Sequence, residues 1–282
     1  MRKRISFISV LTMFLAIGFV IIFSRLVKAA ANGVILKANR TYTAYDVTGD
    51  GTKDKIRIRA ANQTDDEAYT SLTVSVNGKT ACRLKNTRFY NVIANIYTLK
   101  NGQPFLYLYA PADNGDGPVC ALLKYTNGKF RKALDFTEIM AGYGNHRIGE
   151  VTNLNGNKIV ITESIVSYSL GINAINFTYK YVNGKFVPTS KYGSYKEIYS
   201  ADGSSRYFTV NSDLPAYTRP GATAVNTTLK TGSLTKIIKC ALINEKMYIQ
   251  LECDGEIYWI KALENPPIAD NERQFMEVRY AG

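Results

Sequence analysis

Asp46, Thr48, Asp50, Thr52 and Asp54 place five oxygen-bearing side chains at alternate positions of one short stretch. A hard cation such as Ca²⁺ takes roughly six to eight oxygens. Side chains at the first, third, fifth and ninth positions, with the backbone carbonyl of the seventh, supply most of such a set. Gly49 and Gly51 let the chain bend tightly enough to bring them together. Three carboxylates suit a weak extracellular calcium site. The same residues also make an Asp-Gly turn whose carboxylates cap backbone N–H groups. Lys53 and Lys55 beside the loop, and Thr48 in place of an acid or amide, favour that second reading. On sequence the two stay open.

Other reactive groups are sparse. The chain has one histidine, His146, so any mechanism needing two is excluded; in the Gly142–Arg147 connection it reads as a surface polar residue. Asp135 with Glu138, or Glu163 with another acid, can be drawn as a general acid–base pair. Scattered carboxylates near strand ends are ordinarily solvated, and that is the reading for all three. Asp113-Asn-Gly-Asp-Gly117 reads as a turn. No nucleophile elbow, His-Glu-x-x-His motif or phosphate loop occurs, so no catalytic residue is assigned. Cys82, Cys120, Cys240 and Cys253 are consistent with disulfides or with buried free thiols. A hairpin turning at Asn244-Glu245 sets Cys240 opposite residue 249 and Cys253 opposite residue 236, too far apart to bridge each other.

The elements that position these residues are strands. The chain has 282 residues, 46% hydrophobic and 21% charged, which excludes wholesale disorder. Tyr (20) and Phe (12) are abundant among β-branched residues, a strand-forming mixture. Asn-Gly pairs recur at Asn77, Asn101, Asn127, Asn155 and Asn183, at steps of 24, 26, 28 and 28 residues. Such pairs flanked by alternating apolar residues mark tight hairpins. Two turns make one unit, a four-stranded antiparallel meander of about 50 residues. Unit one runs through Thr41–Val47, 55–59, 72–76 and 81–84. Unit two runs through 90–99, 105–110, 119–125 and 130–136. Unit three runs through 148–154, 158–162, 176–182 and 186–187. A short helical turn is expected near Asp135–Met140.

Tyr45-Asp-Val-Thr-Gly-Asp-Gly-Thr-Lys-Asp-Lys-Ile-Arg-Ile resembles the FG-GAP, or VCBS-type, repeat of extracellular propellers, whose D-x-N-G-D-G-x-x-D loop leads into an apolar strand. The later turns keep the shape and lose the acids. The resemblance spans roughly residues 32 to 195 and implies three propeller-like blades. Three cannot close an ordinary propeller, so the arrangement is expected to be open or atypically closed. From Phe208 the pattern changes. Phe208-Thr-Val-Asn-Ser-Asp-Leu-Pro-Ala-Tyr217, Leu229-Lys-Thr-Gly232, two long strands and Asp254-Gly255 before Tyr258-Trp259 resemble the bacterial Src-homology-3-like domain of wall-associated proteins. That resemblance implies a small five-stranded barrel. Tyr217, Tyr258 and Trp259 would then line a ligand groove or serve as barrel core. The expected fold class is therefore all-β: repeated meanders over 32–198, then a barrel with a C-terminal tail over 199–282.

Residues 1–31 read as a signal peptide or N-terminal anchor. Met1-Arg-Lys-Arg4 is basic, Ile5 to Phe23 is apolar, and Val27 and Ala29 suit a cleavage site. The expected location is secreted or cell-surface. Removing the five basic residues of this leader from the 35 leaves 30 basic against 23 acidic residues, a net charge of +7. Mild basicity suits an anionic polymer or lipid surface, or is simply a soluble surface. Nucleic acid is not expected for an exported chain without a basic cluster, and the membrane is met only through an uncleaved leader. The expected function is an exported, non-catalytic binding protein for a cell-wall polymer, peptide or glycan, with Ca²⁺ as the one candidate cofactor. The alternative is a wall-polymer-modifying enzyme with an acidic active site.

Overall fold

The computed structural model describes residues 34–113, 116–198 and 206–280. The expected leader, 1–31, lies outside them. Among the described residues the chain is all-β: twenty strands, no α-helix, and two single 3-10 turns at Phe136–Glu138 and Asp270–Glu272. The first of these is the helical turn expected near Asp135, whose carboxylate accepts the Thr137 N–H. No helix among the described residues is long and apolar enough to cross a membrane.

The first sheet is the meander β2 (Arg40–Tyr45), β3 (Asp54–Gln63), β4 (Tyr69–Val76) and β5 (Lys79–Phe89). The second is the meander β6 (Ile93–Thr98), β7 (Pro104–Ala110), β8 (Val119–Thr126) and β9 (Lys129–Asp135), with β1 (Val34–Leu36) on its β6 edge. The third begins as the meander β10 (Gly144–Asn155), β11 (Lys158–Ser167), β12 (Gly171–Val182) and β13 (Lys185–Pro188). These match the three expected units. The hairpin logic holds in detail at Asn77-Gly78, Asn127-Gly128 and Asn183-Gly184, where both residues take positive φ.

The sheets stack face to face, with the second in the middle. Along β7 the side chains alternate between two cores. Leu106, Leu108 and Ala110 pack with Ile56, Ile58, Leu72 and Val74 of the first sheet. Phe105, Tyr107 and Tyr109 join Ile161, Ile165, Ile175 and Phe177 of the third. A strand covered on both faces needs an unbroken apolar run, and Phe105-Leu-Tyr-Leu-Tyr-Ala110 supplies one. By contrast β3 is buried only at every second residue, with Lys55, Arg57 and Arg59 turned to solvent.

The third sheet does not stop at the third unit. β13 pairs only the C-terminal end of β12, while β14 (Tyr192–Ile198) takes the other end, Asn173 to Asn176. β14 then pairs β18 (Leu234–Ile243) through Tyr192, Gly193 and Ser194. β19 (Lys246–Cys253) and β20 (Glu256–Lys261) continue the same sheet, and β15 (Tyr207–Thr209) pairs β18 further along. The expected five-stranded barrel is thus not seen as a closed barrel. Its long strands extend the third sheet, and β16 (Leu214–Ala216) with β17 (Thr227–Leu229) forms a separate hairpin. Phe208, Val210, Leu214 and Phe275 cover the inner face of the extension.

The β18–β19 register follows the turn at Asn244-Glu245: Cys240 lies opposite Ile249, as the spacing requires. Ile238 is an extra residue, so Cys253 faces Thr235 rather than residue 236. All four cysteines are free.

Glu163 departs from its sequence reading as a solvated carboxylate. It follows Ile159 and Ile161 on the inward face of β11, is fully buried, and has no hydrogen-bond partner for either oxygen among the described residues. Gly149 makes room for it: a Cβ there would lie 2.4 Å from Glu163 Oε2 and 1.8 Å from Phe136 Cδ1. Burial pushes the Glu163 carboxyl well above the usual carboxylate range; Arg147 offsets this in part, and the Asp135 carboxylate adds to it. The Arg147 guanidinium is committed elsewhere, donating to the Thr137 and Gly144 carbonyls. The native state therefore holds this proton after the unfolded chain has lost it. Stability contributed by the neutral acid is present below the unfolded carboxylate pKa and falls as pH rises toward the native one. Glu163→Gln keeps the shape without the ionisation. We expect it to melt higher than the wild type at pH 7.5, with the difference shrinking as pH falls to about 4; a pH-independent difference would contradict the assignment.

Candidate functional site

The face of the third sheet turned away from the second is partly open: Ser194 is exposed and Asn176, Lys239 and Gln250 are half-buried, while Thr162 and Trp259 at the two ends are buried. Antiparallel register aligns one row of side chains across six strands. Thr162 pairs Asn176, Asn176 pairs Ser194, Ser194 pairs Lys239, Lys239 pairs Gln250, and Gln250 pairs Trp259. At about 4.8 Å per strand the row is about 24 Å long. The Thr162 hydroxyl donates to Asn176 Oδ1 at 2.7 Å, which orients that amide. The neighbouring row runs Tyr192, Ala241, Tyr248, Lys261.

Tyr217 and Trp259, two of the three expected groove residues, lie together at one end of this face. Their backbones exchange hydrogen bonds of 2.8 and 2.9 Å, and their rings form a small cluster with Ala241 and Tyr248. Trp259 is only 4% exposed, so it is a floor rather than a wall. Tyr258 points the opposite way, against the main core, as strand alternation demands. The ring that sequence reasoning missed is Tyr192. It is 38% exposed, and its centroid lies 5.9 Å from that of Trp259 at an interplanar angle of 34°.

Lysines crowd these rings. Lys239 Nζ lies 4.6 Å from the Tyr192 centroid and 6.0 Å from that of Trp259. Lys191 Nζ lies 5.2 Å from Tyr192, and Lys261 Nζ 5.2 Å from Tyr217. Lys236 sits 5.9 Å over Tyr207, another exposed ring. Cation–π attraction favours such placements. Tyr192 and Ser194, alternating with Gly193 and Tyr195 along β14, were the signal available in the sequence.

The acidic residues do not assemble comparably. Asp135 and Glu138 line an open cleft of about 710 Å³ between the second and third sheets, with Lys132, Lys185, Tyr179 and Glu245. Asp135 is occupied by the Thr137 hydroxyl at 2.8 Å and by Lys132. Glu163 is sealed between the sheets, out of reach of a substrate. His146 Nδ1 lies 3.0 Å from Asp116 Oδ2. Burial pushes the Cys240 thiol up to about 12, which leaves it un-ionised at neutral pH.

In the Asp46 loop the carboxylates meet N–H donors. Asp46 Oδ1 accepts from Gly49 N at 2.6 Å and its Oδ2 from Gly51 N at 2.8 Å. Partial desolvation opposes its charge, but these donors with the Thr48 hydroxyl outweigh it and hold the Asp46 carboxyl below the usual range. Asp50 accepts from Thr52 N at 2.7 Å. Asp54 is buried; its Oδ2 accepts from Val47 N and Thr48 N at 2.7 and 2.9 Å. Its Oδ1 accepts from Asn77 Nδ2 at 2.6 Å, which ties the loop to the next hairpin. Thr52 contributes its backbone N–H, not its side chain. Among the described residues no group of three or more His, Cys, Asp or Glu is placed to hold a metal ion. A bound Ca²⁺ would have to draw these oxygens away from the amides they cap.

Comparison with protein-family models, with curated proteins and with solved structures gave no match. Fold and site together define an all-β chain of three layered antiparallel sheets, with a lysine-tyrosine face on the last.

The capped loop makes a direct prediction. Asp54→Ala removes a buried acceptor of four donors and should cost about 2–4 kcal/mol. The loss should be the same in millimolar calcium and in chelator. A wild-type melting temperature that rises with calcium, and a rise abolished by Asp50→Ala, would reassign the loop as a cation site.

Proposed function

We propose that this chain is an exported, non-catalytic binding protein that holds an extended glycan of the cell wall or extracellular matrix on the open face of its third sheet. One observation carries the reading: Asn176, Ser194, Lys239 and Gln250 stand in register beside the exposed Tyr192 ring. An extended sugar chain needs this combination. The polar side chains meet its hydroxyls, and an aromatic face meets the apolar side of a sugar ring. Trp259 packs beside the Tyr192 ring, with 5.9 Å between centroids. The leader-like residues 1–31 support export, and the resemblances to FG-GAP-type repeats and to the Src-homology-3-like domain agree with a binding role outside the cell. Fold resemblance alone would not fix a function, so the weight rests on the face.

Tyr192→Ala and Gln250→Ala should each weaken retention on purified cell-wall polysaccharide about 5- to 10-fold, which is about 1–1.4 kcal/mol. Melting temperatures should stay near wild type, because both residues are partly exposed. Undiminished retention of both variants would remove the face from the function.

A further inference from the structure

We propose that the chain held on this face is anionic, a phosphodiester-linked glycan or polyol polymer whose phosphates are met by Lys191, Lys239 and Lys261. This deepens the binding reading above and rests on it. Lys191 Nζ and Lys239 Nζ lie 5.2 and 4.6 Å from one ring centroid, so they are at most 9.8 Å apart. Neither these two nor Lys261 is within ion-pair distance of a carboxylate among the described residues; the five ion pairs there involve other cations. Two like charges converging on one tyrosine, with no ion-pair partner among the described residues, are stabilised by an anion seated there. The acids of this face lie away from Tyr192: Glu252 is opposite Lys236, Glu197 is opposite Ala174, and Glu150 is opposite Thr162 at the far end of the row. The Tyr192 end is therefore the positive end.

The guanidinium fork matches planar carboxylate and phosphate alike, and Lys is an established phosphate binder that acts as a rotatable point charge. The cations around Tyr192, Trp259 and Tyr217 are all lysines. A single-stranded nucleic acid shares the phosphodiester but wants successive stacking platforms. Here Tyr192 is exposed while its neighbour Trp259 is 4% exposed, so one platform is presented and not a series.

Trp259 is the only tryptophan in the chain, so its fluorescence reports this site directly. The full mature chain would be titrated with poly(glycerol phosphate), a neutral chitooligosaccharide, polygalacturonate and oligothymidylate. We expect poly(glycerol phosphate) to bind at least 10-fold more tightly than the neutral chain. Its affinity should fall about 10- to 20-fold between 50 and 200 mM salt, as release of counterions from about three contacts requires. Lys239→Gln and Lys239→Glu should each lose 5-fold or more with unchanged melting, while the distant Lys129→Glu should bind as wild type. Equal, salt-insensitive binding of the neutral chain would overturn this inference and leave the glycan reading standing. Tighter binding of polygalacturonate would overturn the choice of phosphate, and tighter oligothymidylate would reassign the face to nucleic acid. No response to any of the four would overturn both readings.

Discussion

A β-strand that is apolar on both faces cannot face water on either, and β7 is such a strand. Phe105, Tyr107 and Tyr109 project one way and Leu106, Leu108 and Ala110 the other, all buried. Fully burying one such side chain contributes roughly 1.5–3 kcal/mol relative to leaving it exposed. Leaving either side of β7 uncovered would forfeit several such terms at once. The second sheet must therefore be the middle layer, and each neighbour must give up one face to cover it. The far faces of the first and third sheets are the ones this stacking leaves uncovered.

Those two far faces differ because the third sheet is extended. β14 pairs β12 on one side and β18 on the other, so the C-terminal strands widen the sheet. Had they curled into a separate barrel, Ser194 and Lys239 would not be neighbours, and no row would run from Thr162 to Trp259. The extension also brings Tyr192, at the start of β14, against Trp259 of the C-terminal strands. The binding face thus depends on a pairing between segments that are distant in sequence.

Much of the architecture was legible in the residues. Asn-Gly spacing located the hairpins; at Asn77, Asn127 and Asn183 both central residues take positive φ, whereas at Asn101-Gly102 and Asn155-Gly156 only the glycine does. Alternation located the strands, and the Asn244-Glu245 turn set the Cys240 register. What local patterns do not carry is which edges meet. The β14–β18 junction rests on three residue pairs and has no sequence period of its own. Glu163 was legible in part: its place after Ile159 and Ile161 put it on the inward face, but charge suggested solvent. The Asp46 loop shows a different limit. Carboxylates spaced for a cation are also spaced for the amides of their own turn, and Asp46, Asp50 and Asp54 meet those amides here. Tyr258 and Trp259 were expected to share one groove or core with Tyr217; strand alternation sends them to opposite faces.

The layering is the claim on which the rest stands, and native-state amide hydrogen exchange tests it most directly. If the second sheet is covered on both sides, the amides of β7 and β8 open only with global unfolding and are the slowest in the chain. Those of β2, an edge strand of the first sheet, and β20, near the outer limit of the third, should exchange faster through local opening. Protection in β7 and β8 no greater than in β2 and β20 would contradict the three-layer arrangement, and with it the single open face of the third sheet.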